Sequence, residues 1–175
     1  MRRVALLRGI NVGGAKKIPM AALKEAAVNL GWRNVQSYIA SGNLVFEADG
    51  DGLAEALEVA IAHRFGFDVP VLVLEAAEMR AARDDCPFAP ADDRHVHAAF
   101  LFADAAPDMD LFDKWKAPGD GFAQQGRVAW LHCPGGFGRS KLAERFEKLA
   151  GAPLTARNLA TVGKLNDMLD AAGAE

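Results

Sequence analysis

Val4-Ala5-Leu6-Leu7-Arg8-Gly9-Ile10-Asn11-Val12-Gly13-Gly14-Ala15-Lys16-Lys17-Ile18-Pro19 decides how the chain begins to fold. The apolar run Arg3–Arg8 reads as a buried strand. Gly9, Gly13, Gly14 and Asn11 then admit φ > 0, so the backbone can turn its N–H groups toward one point. Pro19 suits the first helical position, where its missing N–H costs nothing. Arg8, Lys16 and Lys17 bring positive charge to the same place. A buried strand, a glycine-rich basic loop and a helix start together read as a candidate anion site.

Working outward, Met20, Leu23, Ala27 and Leu30 follow at helical spacing, and Gly31 supplies a stop. Val35–Ile39 and Leu44–Glu47 read as strands around the tight turn Ala40-Ser41-Gly42-Asn43. Asp51 is placed to cap a helix with the stripe Leu53, Leu57, Ile61 and Phe65, ending at Gly66. Val69–Leu74 reads as a fourth strand. The order βαββαβ in an antiparallel sheet 4-1-3-2 brings the Gly9–Lys17 loop beside Ser41, Gly42 and Asn43. The turn Gly66-Phe67-Asp68 falls at the same end.

Ala76–Arg83 reads as a connecting helix, and the polar stretch 84–94 as a boundary between subdomains 1–83 and 95–175. Beyond it the element order restarts. His95–Phe102 is an apolar strand and Met109–Trp115 a short helix. Gly121–Gln125 and Arg127–Cys133 make a hairpin around Gly126. A helix from Ser140 carries Leu142, Phe146 and Leu149 to a stop at Gly151. Pro153–Ala156 reads as a short strand, and a last helix from Asn158 to Ala171 buries Val162, Leu165 and Leu169. The expected class is α+β: two ferredoxin-like βαββαβ units in tandem, or one domain with a larger mixed sheet.

Composition is that of an ordinary folded protein, 51% hydrophobic and 25% charged over 175 residues. No apolar run approaches the ~20 residues that span a bilayer. Met1-Arg2-Arg3 has the charge of a signal peptide, but the apolar run breaks at Arg8 and no cleavage site follows. The expectation is a cytoplasmic protein without a membrane partner. Cys86 and Cys133 lack CxxC spacing and read as free thiols. The net charge of −3 argues against a generally basic nucleic-acid binder, yet its distribution is uneven. Residues 1–46 carry +6, residues 47–138 carry −10, and residues 139–166 return to +4. Two basic segments can therefore form one positive face, or simply stand solvated.

The glycine loop is neither of the familiar phosphate loops. A Walker loop needs Gly-Lys-Ser/Thr after four intervening residues, and here Ala15 follows Gly14. The dinucleotide pattern GxGxxG is also absent. What remains is an anion nest at a helix N-terminus, or a plain strand-to-helix turn. Gly138-Arg139-Ser140-Lys141 is a second basic helix start in which Ser140 either caps or binds. Thr155-Ala156-Arg157-Asn158, followed by Thr161 and Lys164, is a third. His95 and His97 face the same way on a strand, but with His132 and Cys133 they have no diagnostic ligand spacing, and no metal is expected. Ser41 lacks a nucleophile elbow, and Trp32, Trp115, Trp130 and Phe122 sit at core-type positions. No catalytic residue and no cofactor are assigned.

Leu6-Leu7-Arg8-Gly9-Ile10-Asn11-Val12-Gly13-Gly14 with Lys17-Ile18-Pro19-Met20, and then Tyr38-Ile39-Ala40-Ser41-Gly42-Asn43-Leu44-Val45-Phe46, resembles the bacterial family called domain of unknown function 1697. Arg139-Ser140-Lys141-Leu142, Thr155-Ala156-Arg157-Asn158 and Thr161-Val162-Gly163-Lys164-Leu165 extend the resemblance over nearly the whole chain. It implies a pair of ferredoxin-like α+β units and no established activity. Leu159-Ala160 stands where the family has a more polar, aromatic pair.

The functional expectation is binding of a phosphorylated or anionic ligand. Arg8, Lys16 and Lys17 would supply charge, and Gly9, Asn11, Gly13, Gly14, Ser41, Gly42 and Asn43 would shape the backbone. Arg139, Ser140, Lys141, Arg157, Asn158 and Lys164 would extend the face. The alternatives are an RNA-binding module on the same basic face, an enzyme acting on a small anionic substrate, and a scaffold whose loops are structural.

Overall fold

Val4 through Leu7 are buried to the last atom, which a strand achieves only with cover on both faces. In the computed structural model, which describes residues 1–171, this run forms β1 (Arg2–Leu7). It is followed by α1 (Met20–Asn29), β2 (Arg33–Ser37), β3 (Asn43–Glu47), α2 (Leu53–Phe65) and β4 (Val71–Glu75). The sheet is antiparallel throughout, in the order β2-β3-β1-β4. Ala5 and Leu7 face a core with Leu44, Phe46, Leu23, Ala27, Leu57 and Ile61, so α1 and α2 cover one side. Trp32 stacks on Phe46 within that core, ring centroids 3.8 Å apart.

A second set follows: α3 (Ala76–Asp84), β5 (Val96–Leu101), α4 (Met109–Trp115), β6 (Gly121–Gln125), β7 (Val128–His132), α5 (Lys141–Glu144), α6 (Phe146–Ala150), β8 (Leu154–Asn158) and α7 (Leu159–Ala171). Its sheet is again antiparallel, in the order β6-β7-β5-β8. Ala99, Leu101, Ala129 and Leu131 pack there against Leu142, Phe146 and Leu149. The fold is α+β with two separate sheets, which removes the single larger sheet. The chain divides into two compact units, one made of Met1–Met79 with the chain from Leu165, the other of Arg80–Lys164. Within the first, Asn166 Nδ2 donates to the Met79 carbonyl and Arg2 Nη1 to that of Leu169.

Several local expectations are corrected. Pro19 is the residue before the first turn of α1, extended at ψ 136, not its first helical residue. The cap of α2 is Gly52, left-handed at φ 70, and Asp51 stands outside. The strand expected at Val35–Ile39 lies two residues earlier, because the chain breaks at Ile39, where φ is 50. His95 ends a short 3-10 turn, Asp93–His95, and does not share a strand with His97. The helix expected from Ser140 is broken at Arg145 into α5 and α6. Thr155, Ala156 and Arg157 belong to β8 and not to a helix start.

Glycine ends three helices as expected. Gly31, Gly66 and Gly151 all have φ between 79 and 91, the left-handed region in which a Cβ is penalised.

Candidate functional site

Past Leu7, β1 runs on for one residue held from both sides. Leu7 N–H donates to the Gly42 carbonyl at 2.9 Å and Arg8 N–H to that of Pro70 at 3.0 Å. The β2–β3 turn and the segment entering β4 therefore flank the β1–α1 loop, which is the convergence the strand order implies. Gly42 is buried with φ 91, and a Cβ there would lie 2.8 Å from both Ile10 Cδ1 and Leu7 Cβ. Glycine is required by the close approach as well as by the turn.

The loop is a miniature hairpin. Asn11 N–H donates to the Lys16 carbonyl and Ala15 N–H to that of Val12, with Gly13 and Gly14 at φ 59 and 78 at the tip. Two successive positive φ values are those of a type I′ turn. Asn11 and Lys16 flank it, also left-handed at φ 54 and 47. The side chain of Asn11 clamps the base. Its Nδ2 donates to the carbonyls of Ile18 and Ala40, and its Oδ1 accepts from Ile18 N–H at 2.8 Å. Lys16 Nζ donates to the Asp68 carbonyl at 2.6 Å, tying the hairpin to the turn before β4.

On the other side, Asn43 Nδ2 donates to the Tyr38 carbonyl and to Ser41 Oγ. Asn11, Lys16 and Gly42 thus fasten neighbouring segments to one another, while Ser41 and Asn43 brace the β2–β3 turn from within.

Beside the clamp lies a shallow cavity of about 560 Å³ lined by Asn11, Gly14, Lys17, Ile18, Pro19, Met20 and Ala40. It opens at the start of α1, a helix with no side-chain cap and no acidic residue in its first turn. The amide N–H groups of such a first turn lack intrahelical partners and carry the positive end of the helix dipole. Lys17 is exposed, and so are Gly9, Gly13 and Gly14; Arg8 is half-buried. Two features escaped sequence reading: Val12 is 67% and Ile39 48% exposed, on either side of the clamp. A β-branched residue at φ 50 is a backbone outlier. The apolar run Tyr38-Ile39 reads as strand and hides it.

The remaining candidates lie in the second unit. Ser140 is spent as a cap: its Oγ accepts from Ala143 N–H at 3.1 Å and from Cys133 Sγ at 3.3 Å. Arg139 and Lys141 flank it, exposed. Asn158 Oδ1 accepts from Thr161 N–H at the start of α7. Arg157 is its strand neighbour and therefore faces the opposite side of the sheet. It is buried, donates from Nη1 to Thr155 Oγ1 and the Ala156 carbonyl, and burial pushes its guanidinium down to about 10. Lys164 is exposed on α7.

His97 stacks on Phe137, ring centroids 3.5 Å apart, and its Nδ1 has no hydrogen-bond partner among the described residues. Burial pushes it down to about 4. Burial also pushes the Cys133 thiol up. Among the described residues, no three His, Cys, Asp or Glu side chains gather to hold a metal ion, and no helix is long and apolar enough to cross a membrane.

The family model described as "Protein of unknown function (DUF1697)" matches residues 1–130. Among solved structures, the chain is similar to the conserved bacterial protein SP0830 from Streptococcus pneumoniae. The two are 28% identical with a TM-score of 0.64, and the match covers 96% of this chain and 98% of that one. Nothing among curated proteins matches.

Proposed function

Given that the chain belongs to the DUF1697 family, whose description assigns no activity, we propose that it binds a phosphorylated or otherwise anionic small ligand in the cavity at the start of α1. The observation that carries the reading is the meeting of three features in one place. They are the uncapped first turn of α1, the exposed Lys17, and walls fixed by the Asn11 clamp. Backbone amides at a helix start accommodate a phosphate or carboxylate without side-chain help, and a clamped loop loses little entropy when a ligand arrives. Lys17 is the one ionisable residue lining the cavity among those described. General acid–base chemistry needs a titratable partner within hydrogen-bond reach, so the lining supports binding and not turnover. Lys16 and Asn11 serve this reading by position, since their side chains are engaged in the loop ties.

The test is local. Titration with inorganic phosphate is followed by the amide resonances of Met20, Ala21 and Ala22 in the wild type and in Lys17→Glu. Saturable shifts that vanish in the folded variant are expected. Amides that stay unmoved in the wild type, or move equally in Lys17→Glu, overturn the reading.

A further inference from the structure

Trp115 closes α4 with its ring half-buried, and three cations stand over it. Arg145 Cζ lies 4.2 Å from the ring centroid, Lys141 Nζ 5.1 Å and Lys114 Nζ 5.3 Å. All four residues belong to the second unit. Such a contact is weak at an exposed site, and the ring's one quadrupole is shared among three positive charges that repel one another.

The carboxylates do not balance the cluster. Among the described residues Glu144 pairs with Arg145, 3.5 Å from Nη1, and Asp113 is engaged with Lys116 at 3.2 Å. Among the described residues neither Lys114 nor Lys141 has a carboxylate within 4.0 Å. Arg145 itself is preorganised. Its Cζ sits over the indole, and Nη1 donates to the Lys141 carbonyl at 3.0 Å. That leaves Nε and Nη2, the two donors of one edge of the guanidinium, without a partner among the described residues. A guanidinium edge with two donors matches two oxygens of a phosphoryl group, and the flanking ammonium groups add positive charge beside it.

We propose that Arg145, Lys141 and Lys114, assembled on Trp115, form a binding site for a phosphoryl group, separate from the cavity at α1. Arg145 supplies the paired donors, the two lysines supply charge, and Trp115 holds all three in place. The phosphoryl group comes either from a small phosphorylated molecule or from a nucleic-acid backbone.

The test uses the full nitrogen-15-labelled chain at low ionic strength, with the indole N–H resonance of Trp115 assigned by Trp115→Phe. Inorganic pyrophosphate and a single-stranded oligothymidylate are titrated separately. A saturable shift with pyrophosphate supports a small-molecule source, and one seen only with the oligonucleotide supports a phosphodiester source. In either case Arg145→Lys, which keeps the charge but not the paired donors, is expected to weaken binding about tenfold. Lys141→Gln is expected to weaken it several-fold, although Arg145 keeps its bond to the backbone carbonyl of that residue. Lys17→Glu should leave the Trp115 shift untouched, which keeps this site distinguishable from the one at α1. No saturable shift with either probe, or binding indifferent to Arg145→Lys in a variant with a native spectrum, overturns the proposal.

Discussion

The side-chain amide of Asn11 lies 2.8 Å from the carbonyl oxygen of Ala40, and this contact fastens the β1–α1 loop to the β2–β3 turn. The same side chain holds Ile18 through both its nitrogen and its oxygen. Replacing Asn11 by Gly removes all three bonds while keeping its left-handed φ accessible. At a net ~1 kcal/mol per hydrogen bond, Asn11→Gly should cost on the order of 3 kcal/mol in urea unfolding. Exchange of the Ile18 amide should rise with it. Asn11→Ala should cost about 1 kcal/mol more, because φ 54 then penalises a Cβ. Equal losses for the two variants would show that the backbone conformation carries no share.

Gly42 and Gly13 both have positive φ but differ in their surroundings. A Cβ on Gly42 meets Ile10 and Leu7 at 2.8 Å, whereas one on Gly13 meets nothing within 4 Å. Gly13→Ala should cost roughly 1–2 kcal/mol, the conformational term alone. Gly42→Ala adds overpacking and should cost roughly 2–4 kcal/mol. Chemical denaturation of the two variants side by side separates the terms.

His97 makes stability depend on pH. Its native value near 4 lies below the unfolded ~6.5. Between those values the unfolded chain binds more protons, so stability falls as pH drops and is fully restored above 6.5. The loss approaches about 3 kcal/mol by pH 4. His97→Phe preserves an aromatic stack on Phe137 and should flatten this part of the profile. Urea midpoints at pH 7 and pH 4.5 provide the measurement.

Ser140 joins β7 to the helices that cover its sheet. Ser140→Ala removes the acceptor for Ala143 N–H and for the Cys133 thiol. It should cost about 1 kcal/mol, the ordinary worth of such a cap. Ser140→Asn restores a capping side chain and should recover part of that loss. Thermal unfolding of both variants decides whether the cap carries the effect.

Much of this architecture is legible from periodicity and turn chemistry. Leu23 and Ala27, Leu57 and Ile61, and Val162, Leu165 and Leu169 are buried stripes at helical spacing, and Gly31, Gly66 and Gly151 end their helices. The meeting of the β1–α1 loop with the Gly42 turn follows from strand order. The roles of individual side chains do not. Lys16 looks like ligand-facing charge in the sequence, but its reach to the Asp68 carbonyl depends on a left-handed backbone at Lys16 itself. Asp51 is the better capping residue by type, yet Gly52 takes the position because the chain enters α2 with φ 70. Trp115 has a core-type position, and its cations come from α4, from α5 and from the break at Arg145, which no single periodic segment contains.

The paired ties at the end of β1 recur in the second unit. Leu101 N–H donates to the Arg127 carbonyl and Phe102 N–H to that of Pro153, just as Leu7 and Arg8 donate to Gly42 and Pro70. Between such ties and the next helix, one unit holds eleven residues, 9–19, and the other six, 103–108. The frame therefore works as a socket: both sheets are locked before the variable segment begins, and the segment's length does not enter their register. Transplanting a foreign turn at Val12–Ala15, outside the buried Ile10 and Ile18 and the Asn11 ties, would then change what the first unit presents without disturbing its sheet.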